Sequence, residues 1–79
     1  MATIKGKTMK YEKGTLLRGI SNEYTENFVL IESFGMHKSV LSDNEAPIYH
    51  FFILDENMKR DWHYATYVES DNVFVQVVP

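Results

Sequence analysis

Three histidines are the residues of this chain best suited to metal chemistry, because His37, His50 and His63 recur at intervals of 13 residues. Imidazole nitrogens joined by a carboxylate form a ligand set that suits zinc and other transition metals. An even spacing across loops of unlike length has no geometric meaning, however, and a lone histidine on a strand is usually half-exposed or hydrogen-bonded. We therefore predict no metal site and no cofactor.

The signatures of common catalytic sites are missing from the sequence. There is no cysteine nucleophile and no Gly-x-Ser-x-Gly elbow. The glycines are isolated, so neither a phosphate-binding loop nor a dinucleotide fingerprint is present. Carboxylate pairs such as Asp55/Glu56 and Glu69/Asp71 flank turns, where solvation is their expected role. We predict that the chain has no catalytic residues and is not an enzyme.

Aromatic side chains are abundant, with five Tyr, five Phe and one Trp. Tyr, Trp and Arg dominate binding hot spots, because they bury a large area and keep a polar tip. The candidate binding residues are Tyr49, Arg60, Trp62, His63, Tyr64 and Tyr67. In the alternative interpretation Trp62 and Tyr64 fill the core, which leaves Tyr49 and Tyr67 as the surface contacts.

The charge of the chain is unevenly distributed, although the net value is only -3. Residues 1–20 hold five Lys and Arg against Glu12 alone, whereas residues 21–79 hold three against ten Asp and Glu. The basic segment is expected to be a solvated arm, or else a contact for an anionic partner. The acidic residues are scattered singly, which favours solubilisation over mimicry of a nucleic acid.

Length and composition predict one small folded domain over residues 1–79. Such a chain buries only about 60–65% of its unfolded surface, so its core is thin. No cysteine is present to add a disulfide, and the longest apolar run, residues 48–54, is far shorter than the roughly 20 residues of a membrane span. A signal-peptide pattern and glycosylation sequons are absent, which favours a cytoplasmic location.

Hydrophobic periodicity predicts short strands along most of the chain. Residues 3–11 read as a lysine-protected edge strand, 15–20 and 27–34 as a hairpin, and 48–54 as a strand buried on both faces. Residues 60–70 and 73–78 read as two further strands. Residues 36–41 are typical of either a short strand or a single helical turn.

The strongest local signal is Asp71-Asn72, which predicts a two-residue hairpin turn. In that register Val68 lies opposite Val75 and Thr66 opposite Val77. A one-residue slip would bury Asp61 and Glu69 instead. We therefore predict that the last two strands pair with each other.

The loop over residues 55–59 decides which side chains share a sheet face. A loop of two or four residues places Tyr49 and Phe51 beside Trp62 and Tyr64, in an aromatic ladder, and places His50 beside His63. A loop of three residues puts the two histidines on opposite faces.

The fold class predicted from these strands is all-β: a small antiparallel meander of five to six strands, curled into a barrel or half-barrel. A competing interpretation is α+β with one helix at about residues 56–69, because Met58, Trp62, Ala65 and Val68 fall at helical spacing.

Two classes of function are compatible with this sequence. The first is a non-catalytic protein-binding module that docks on a larger protein and modulates or inhibits it, as small inhibitors of phages and mobile elements do by analogy of size and composition. The second is a small β-barrel that binds single-stranded nucleic acid or a nucleotide by aromatic stacking, although net acidity and only two arginines count against it. Self-association into a homo-oligomer is a further option, and no membrane association is expected.

Overall fold

The computed structural model describes residues 2–25, 27–41, 43–54 and 59–78, with the backbone alone described for residues 59–62. Its elements are β1 (Thr3–Ile4), β2 (Lys7–Thr8), β3 (Leu16–Gly19), β4 (Phe28–Lys38), β5 (Glu45–Ile53), β6 (Lys59–Tyr64), α1 (Ala65–Val68) and β7 (Phe74–Gln76). The last five strands form one antiparallel sheet in the order β6-β5-β4-β3-β7. The predicted all-β meander is confirmed, and because β6 and β7 do not pair, the sheet is not a closed barrel.

The longest ladder of the sheet joins β4 to β5. Its register shifts between Ile31 and Ser33, as at a β-bulge. Residues 48–53 of the predicted central strand 48–54 lie in β5, which has a hydrogen-bonded neighbour on each side. β4 continues to Lys38, so residues 36–38 are strand and not a helical turn.

The core lies on one face of this sheet, which we call the inner face. Val29, Ile31 and Phe51 are buried there at alternate positions of their strands. Residues from outside the sheet complete the same cluster: Met9, Tyr11, Tyr24, Ala65 and Val68. The N-terminal segment, the loop after β3 and the helix therefore all cover the inner face.

The N-terminal segment is not the single edge strand that the sequence predicted. β1 and β2 pair only with each other, through a turn at Lys5 and Gly6 with φ values of 46° and 82°. Positive φ at both central residues is the geometry of a type I′ hairpin, which glycine permits at the second position. This ribbon is a separate element, and it leads into the core residues Met9 and Tyr11.

The predicted C-terminal hairpin through Asp71-Asn72 is wrong. β6 ends at Tyr64, the chain makes one helical turn, and β7 pairs with β3, placing Phe74 opposite Gly19. Ala65 and Val68, which are buried three residues apart, give the physical reason: that spacing places both on one face of a helical turn. Of the competing helix over 56–69, residues 65–68 are helical and residues 59–64 are strand, while residues 56–58 lie outside the described ranges.

The register between β5 and β6 decides between the two alternatives that the sequence left open for the aromatic side chains, and it excludes the aromatic ladder. Ile53 pairs with Lys59, so five residues, 54–58, separate the two paired positions. This number is odd, as in the alternative with a three-residue loop, and residues 55–58 lie outside the described ranges. His63 therefore stands opposite Tyr49, and Trp62 opposite His50. Tyr49 and Phe51 share their face with His63, and His50 and His63 lie on opposite faces.

Candidate functional site

The second face of the sheet, which we call the outer face, carries apolar side chains that the core does not use. Leu30 lies between the buried Val29 and Ile31 and is itself only half-buried. Its cross-strand neighbours are Leu16 and Phe52, both also half-buried. Among the described residues, those from outside the sheet that cover it join the inner-face cluster, and this row of side chains is only half-buried.

One end of the outer face contains a cation surrounded by apolar groups. Arg18 is exposed on β3, between its cross-strand neighbours Phe28 and Val75. A shallow depression of ≈ 350 Å³ is lined there by Arg18, Phe28, Val75, Gln76, Val77 and Val78. No ion pair is found for Arg18 within the described residues. The depression therefore combines apolar walls with an uncompensated guanidinium.

A two-stranded arm extends from the sheet between β4 and β5. We define the arm as residues 36–47, whose paired positions end at Lys38 and Glu45. At this end β3 and β6 no longer accompany the two strands, since β3 reaches only Leu30 and β6 only Ile48. The arm thus projects beyond the rest of the sheet.

The tip of the arm presents two aliphatic side chains entirely to solvent. Val40 is 99% exposed and Leu41 is 95% exposed. The turn that holds them is closed by a hydrogen bond from the Ser39 N–H to the Asn44 carbonyl at 3.2 Å, and the Leu41 N–H donates to Ser39 Oγ. The tip is therefore apolar at its end and hydrogen-bonded at its base.

A polar cluster ties the N-terminal ribbon to the end of the helix. The Tyr49 hydroxyl, fully buried, donates to Glu69 and accepts a hydrogen bond from the Tyr11 N–H at 3.1 Å. Glu69 also accepts from the Lys10 N–H at 2.8 Å and from Lys7 Nζ at 3.0 Å. These hydrogen bonds fix the Glu69 carboxylate between β5 and the N-terminal segment, and we assign them a role in stability.

The electrostatics of this cluster follow from burial and hydrogen bonding. Burial alone would raise the pKa of Glu69, but the donors Tyr49, Lys10 and Lys7 outweigh it, so the pKa of Glu69 is lowered from its ordinary value. Burial, with the adjacent Glu69, raises the pKa of the Tyr49 hydroxyl. Glu69 is thus an anion, and Tyr49 a neutral donor, at neutral pH.

Three of the four N-terminal lysines, which the sequence predicted to form a solvated arm or an anion contact, are paired within the chain. Lys7 contacts Glu69, Lys10 contacts Asp71 at 3.1 Å, and Lys5 contacts Glu45. The uneven charge of the sequence is therefore partly neutralised when the basic segment docks on the acidic remainder.

The histidines do not form a metal centre in the part of the chain that the structure describes. No group of three or more potential ligands is found there. His63 is stacked between Phe51, with ring centroids 5.5 Å apart, and Tyr67, at 4.9 Å, and it shares a hydrogen bond with the Tyr24 hydroxyl. His63 thus packs the helix α1 onto the sheet through Tyr67 and Phe51.

The six sequence-derived binding residues are divided between both faces. Tyr49 is buried, with no surface exposed to a partner. His63 and Tyr67 are half-buried and stacked on each other, and Tyr64, 40% exposed, packs against His37 with ring centroids 5.5 Å apart. Arg60 and Trp62 belong to β6, but their side chains lie outside the described part. The four described side chains therefore do not form one continuous surface.

Neither the exposed tip residues Val40 and Leu41 nor the Arg18 depression was predicted from the sequence. Val40-Leu41 stands in the sequence between Lys38-Ser39 and a polar run, and an apolar pair inside a turn was the available signal. Nothing local indicated the depression, because Val75 and Val78 are far from Arg18 in sequence. It exists only once β7 pairs with β3.

No helix among the described residues is long and apolar enough to cross a membrane. Comparison with protein-family models, with curated proteins and with solved structures finds no match for the chain. The residues themselves therefore carry the functional argument.

Proposed function

We propose that the chain is a non-catalytic protein-binding module that docks on a larger protein through its β4–β5 arm and modulates or inhibits that protein. The observation that carries this proposal is the nearly complete exposure of Val40 and Leu41 at the tip of a paired hairpin. Two adjacent aliphatic side chains held in water bring no stability to the chain that carries them. Such residues gain free energy only when another surface covers them.

The size of that gain suits an anchor. Full burial of a Val or Leu side chain is worth about 1.5–3 kcal/mol each. The tip turn is closed by the hydrogen bond between Ser39 and Asn44, so little conformational freedom is lost when it inserts. A small apolar pocket on the partner is therefore the expected receptor.

The outer face supplies further contact area, near the arm at Tyr64, which packs against His37, and at the far end of β4 at Phe28. Specific interfaces bury about 800 Å² on each partner, which two side chains alone do not provide. Phe28 and Tyr64 are 37% and 40% exposed. Aromatic groups of this kind, partly exposed on a rigid sheet, are typical of binding surfaces.

The alternative, binding of single-stranded nucleic acid, has less support. It relied on stacking beside the basic N-terminal segment, yet Lys5, Lys7 and Lys10 are each paired with a carboxylate of the chain. Salt-dependent retention on an immobilised oligonucleotide, lost in variants of those lysines, would favour the alternative.

The test is capture from a lysate of the native host, followed by titration of the purified partner. The wild-type protein, the double variant Val40→Ser/Leu41→Ser and the control Ile20→Thr are compared. Ile20 is a partly exposed aliphatic residue distant in sequence from the arm. We expect a captured protein to bind the wild type and the control alike, and the double variant at least tenfold more weakly.

A partner that binds the double variant as well as the wild type would contradict the role of the arm. A clean empty capture, repeated with cross-linking, would contradict the function itself.

A further inference from the structure

The free edge of β7 is the second surface of the molecule that is equipped for binding. β7 is the last strand in the sheet order, so one of its sides has no neighbour among the described strands. Val77 donates to Leu16, and Val73 accepts from Ile20, so alternate residues of this strand face β3. By the alternation of antiparallel ladders, the N–H and C=O of Gln76 point toward the free edge.

Two depressions flank this edge, and each contains a cation. The Arg18 depression lies on one side of residues 76–78. The other, also ≈ 350 Å³, is lined by Glu12, Lys13, Gly14, Thr15, Leu16, Gln76 and Val77. Neither Arg18 nor Lys13 has an ion pair within the described residues, unlike Lys5, Lys7, Lys10 and Lys38. Two cations without an ion pair among the described residues therefore lie beside one strand edge, and Glu12 shares the depression of Lys13.

From this arrangement we infer that the β7 edge is a docking site for an extended acidic segment of a partner protein, which adds to the sheet as a further strand. The inference rests on the proposed protein-binding function and adds a site separate from the arm. Main-chain hydrogen bonds to β7 supply affinity in this mode of recognition, and side-chain pockets supply selectivity. Arg18 and Lys13 select carboxylates, and Val75 and Val78 offer apolar contacts beside Arg18.

A second copy of this chain is disfavoured as the occupant. Two β7 edges paired about a twofold axis would bring the cations of both copies to the same ladder, and like charges placed opposite one another destabilise a sheet. An acidic segment brings the opposite charge to the same positions. Charge complementarity therefore favours a foreign acidic strand.

The experiment is a nuclear magnetic resonance titration of the full-length labelled protein. The probe is the peptide acetyl-Thr-Val-Glu-Val-Glu-Val-Thr-amide, and the comparison peptide carries lysine in place of both glutamates. We expect saturable shifts at Arg18 and at residues 75–78 with the acidic peptide only, together with slower amide hydrogen exchange at Gln76. The exchange measurement reports strand addition, which a purely electrostatic contact would not produce.

Variants test the two cations. Arg18→Gln is expected to weaken peptide binding about tenfold, since a charge-assisted hydrogen bond is lost. Lys13→Gln should weaken it to a smaller extent, and the matched control Lys38→Gln, on the arm, should leave it unchanged. The Val40→Ser/Leu41→Ser variant should bind the peptide normally, so failure of this site and failure of the arm are separate results.

Three results would overturn the inference. Equal binding of the lysine peptide would remove the charge argument. Binding of single-stranded oligothymidylate at these residues, with no binding of the peptide, would assign the edge to phosphates. Slow exchange at Gln76 in the free protein, together with a dimer in light scattering, would make a second copy the occupant.

Discussion

At the scale of single residues, the Glu69 side chain joins three separate parts of the chain through hydrogen bonds. It accepts from a tyrosine hydroxyl, a backbone N–H and a lysine, and all three donors belong to other elements of the fold. Its side chain is only 14% exposed. A buried carboxylate with this many donors stabilises a fold only while every donor stays in place.

The Tyr49 hydroxyl is the most sensitive of these donors. Tyr49→Phe leaves the Tyr11 N–H without its acceptor and Glu69 without one donor, so we expect a loss of about 1–3 kcal/mol in the free energy of unfolding. Urea denaturation measures it. The control is Tyr67→Phe, whose hydroxyl contacts the exposed Glu23, and which should cost about 0.5–1 kcal/mol. Equal losses in both variants would show that the buried cluster has no special weight.

The lowered pKa of Glu69 predicts an acid limb in the stability curve. The folded-state pKa lies below the ordinary value of 4.5, so the stabilisation from this group is complete above that pH. It is lost as the pH falls from 4.5 through the folded-state pKa, because the unfolded chain binds the proton more readily.

Urea denaturation between pH 7 and pH 3 tests this dependence. In the Glu69→Gln variant, the free energy of unfolding should fall less steeply below pH 4.5 than in the wild type. The control is Glu45→Gln, which removes the exposed carboxylate that contacts Lys5 and should keep the acid dependence of the wild type. An unchanged limb in Glu69→Gln would place the responsible carboxylate elsewhere.

At the scale of elements, local patterns predicted strands well and pairing poorly. The strands β3, β4 and β5 overlap the predicted strands at residues 15–20, 27–34 and 48–54, respectively. These strands were predictable because alternating or continuous apolar runs are a local property of the sequence. The partner of β7 was not readable in this way. Phe74 faces Gly19 across 54 intervening residues, and no turn signal encodes that contact.

The helix α1 shows how a local rule can mislead. Residues 62–68 alternate with the period of a strand, yet Ala65 and Val68 are also three apart, and burial of both on one helical face prevailed. The candidate site was less predictable than the fold. Val40 and Leu41 carried a weak sequence signal, and the Arg18 depression arises only from the long-range pairing of β3 with β7.

Gly19 tests the packing of the loop after β3 on the sheet. A Cβ at this position would lie 2.1 Å from the Tyr24 carbonyl oxygen, which is a backbone atom and cannot yield as a flexible side chain does. We expect Gly19→Ala to destabilise the fold by about 3 kcal/mol and to change the His63 ring resonances, since Tyr24 contacts that ring.

The matched control for this substitution is Gly14→Ala. A Cβ there meets no atom within 4 Å, although φ is +91°. Its cost should be near 1 kcal/mol and come from the backbone alone. A smaller loss in Gly19→Ala than in the control would mean that the loop shifts without cost.

At the scale of the whole molecule, the two faces of the sheet serve different purposes. The inner face collects the N-terminal ribbon, the loop after β3 and the helix into one core. The outer face, the arm and the β7 edge are left to solvent. The proposed binding function uses the outer face and the edges of the sheet, which the inner-face core leaves at least partly exposed.

Deletion of residues 1–11 tests whether the ribbon is part of the fold. Met9 and Tyr11 are 0% and 3% exposed, and their loss uncovers the inner face. We expect the truncated protein to lose cooperative unfolding and dispersed amide resonances. The triple variant Lys5→Gln/Lys7→Gln/Lys10→Gln should stay folded and lose about 1–2 kcal/mol, because it removes ion pairs and keeps the core. Cooperative unfolding of the truncated protein would show that the fold does not need the ribbon.

Because β7 pairs with β3, one edge of β3 stays without its partner strand until β7 is synthesised. β3 leaves the ribosome early and can pair with β4 at once, but its other edge waits for residues 74–76. During that interval an unpaired strand borders the growing core, and such edges recruit other chains. The short β3, with Arg18 at its middle, presents little length and a repelling charge to a neighbouring nascent copy. We therefore expect the arginine that we assign to partner binding in the finished protein also to disfavour edge-to-edge pairing of β3 before β7 is made.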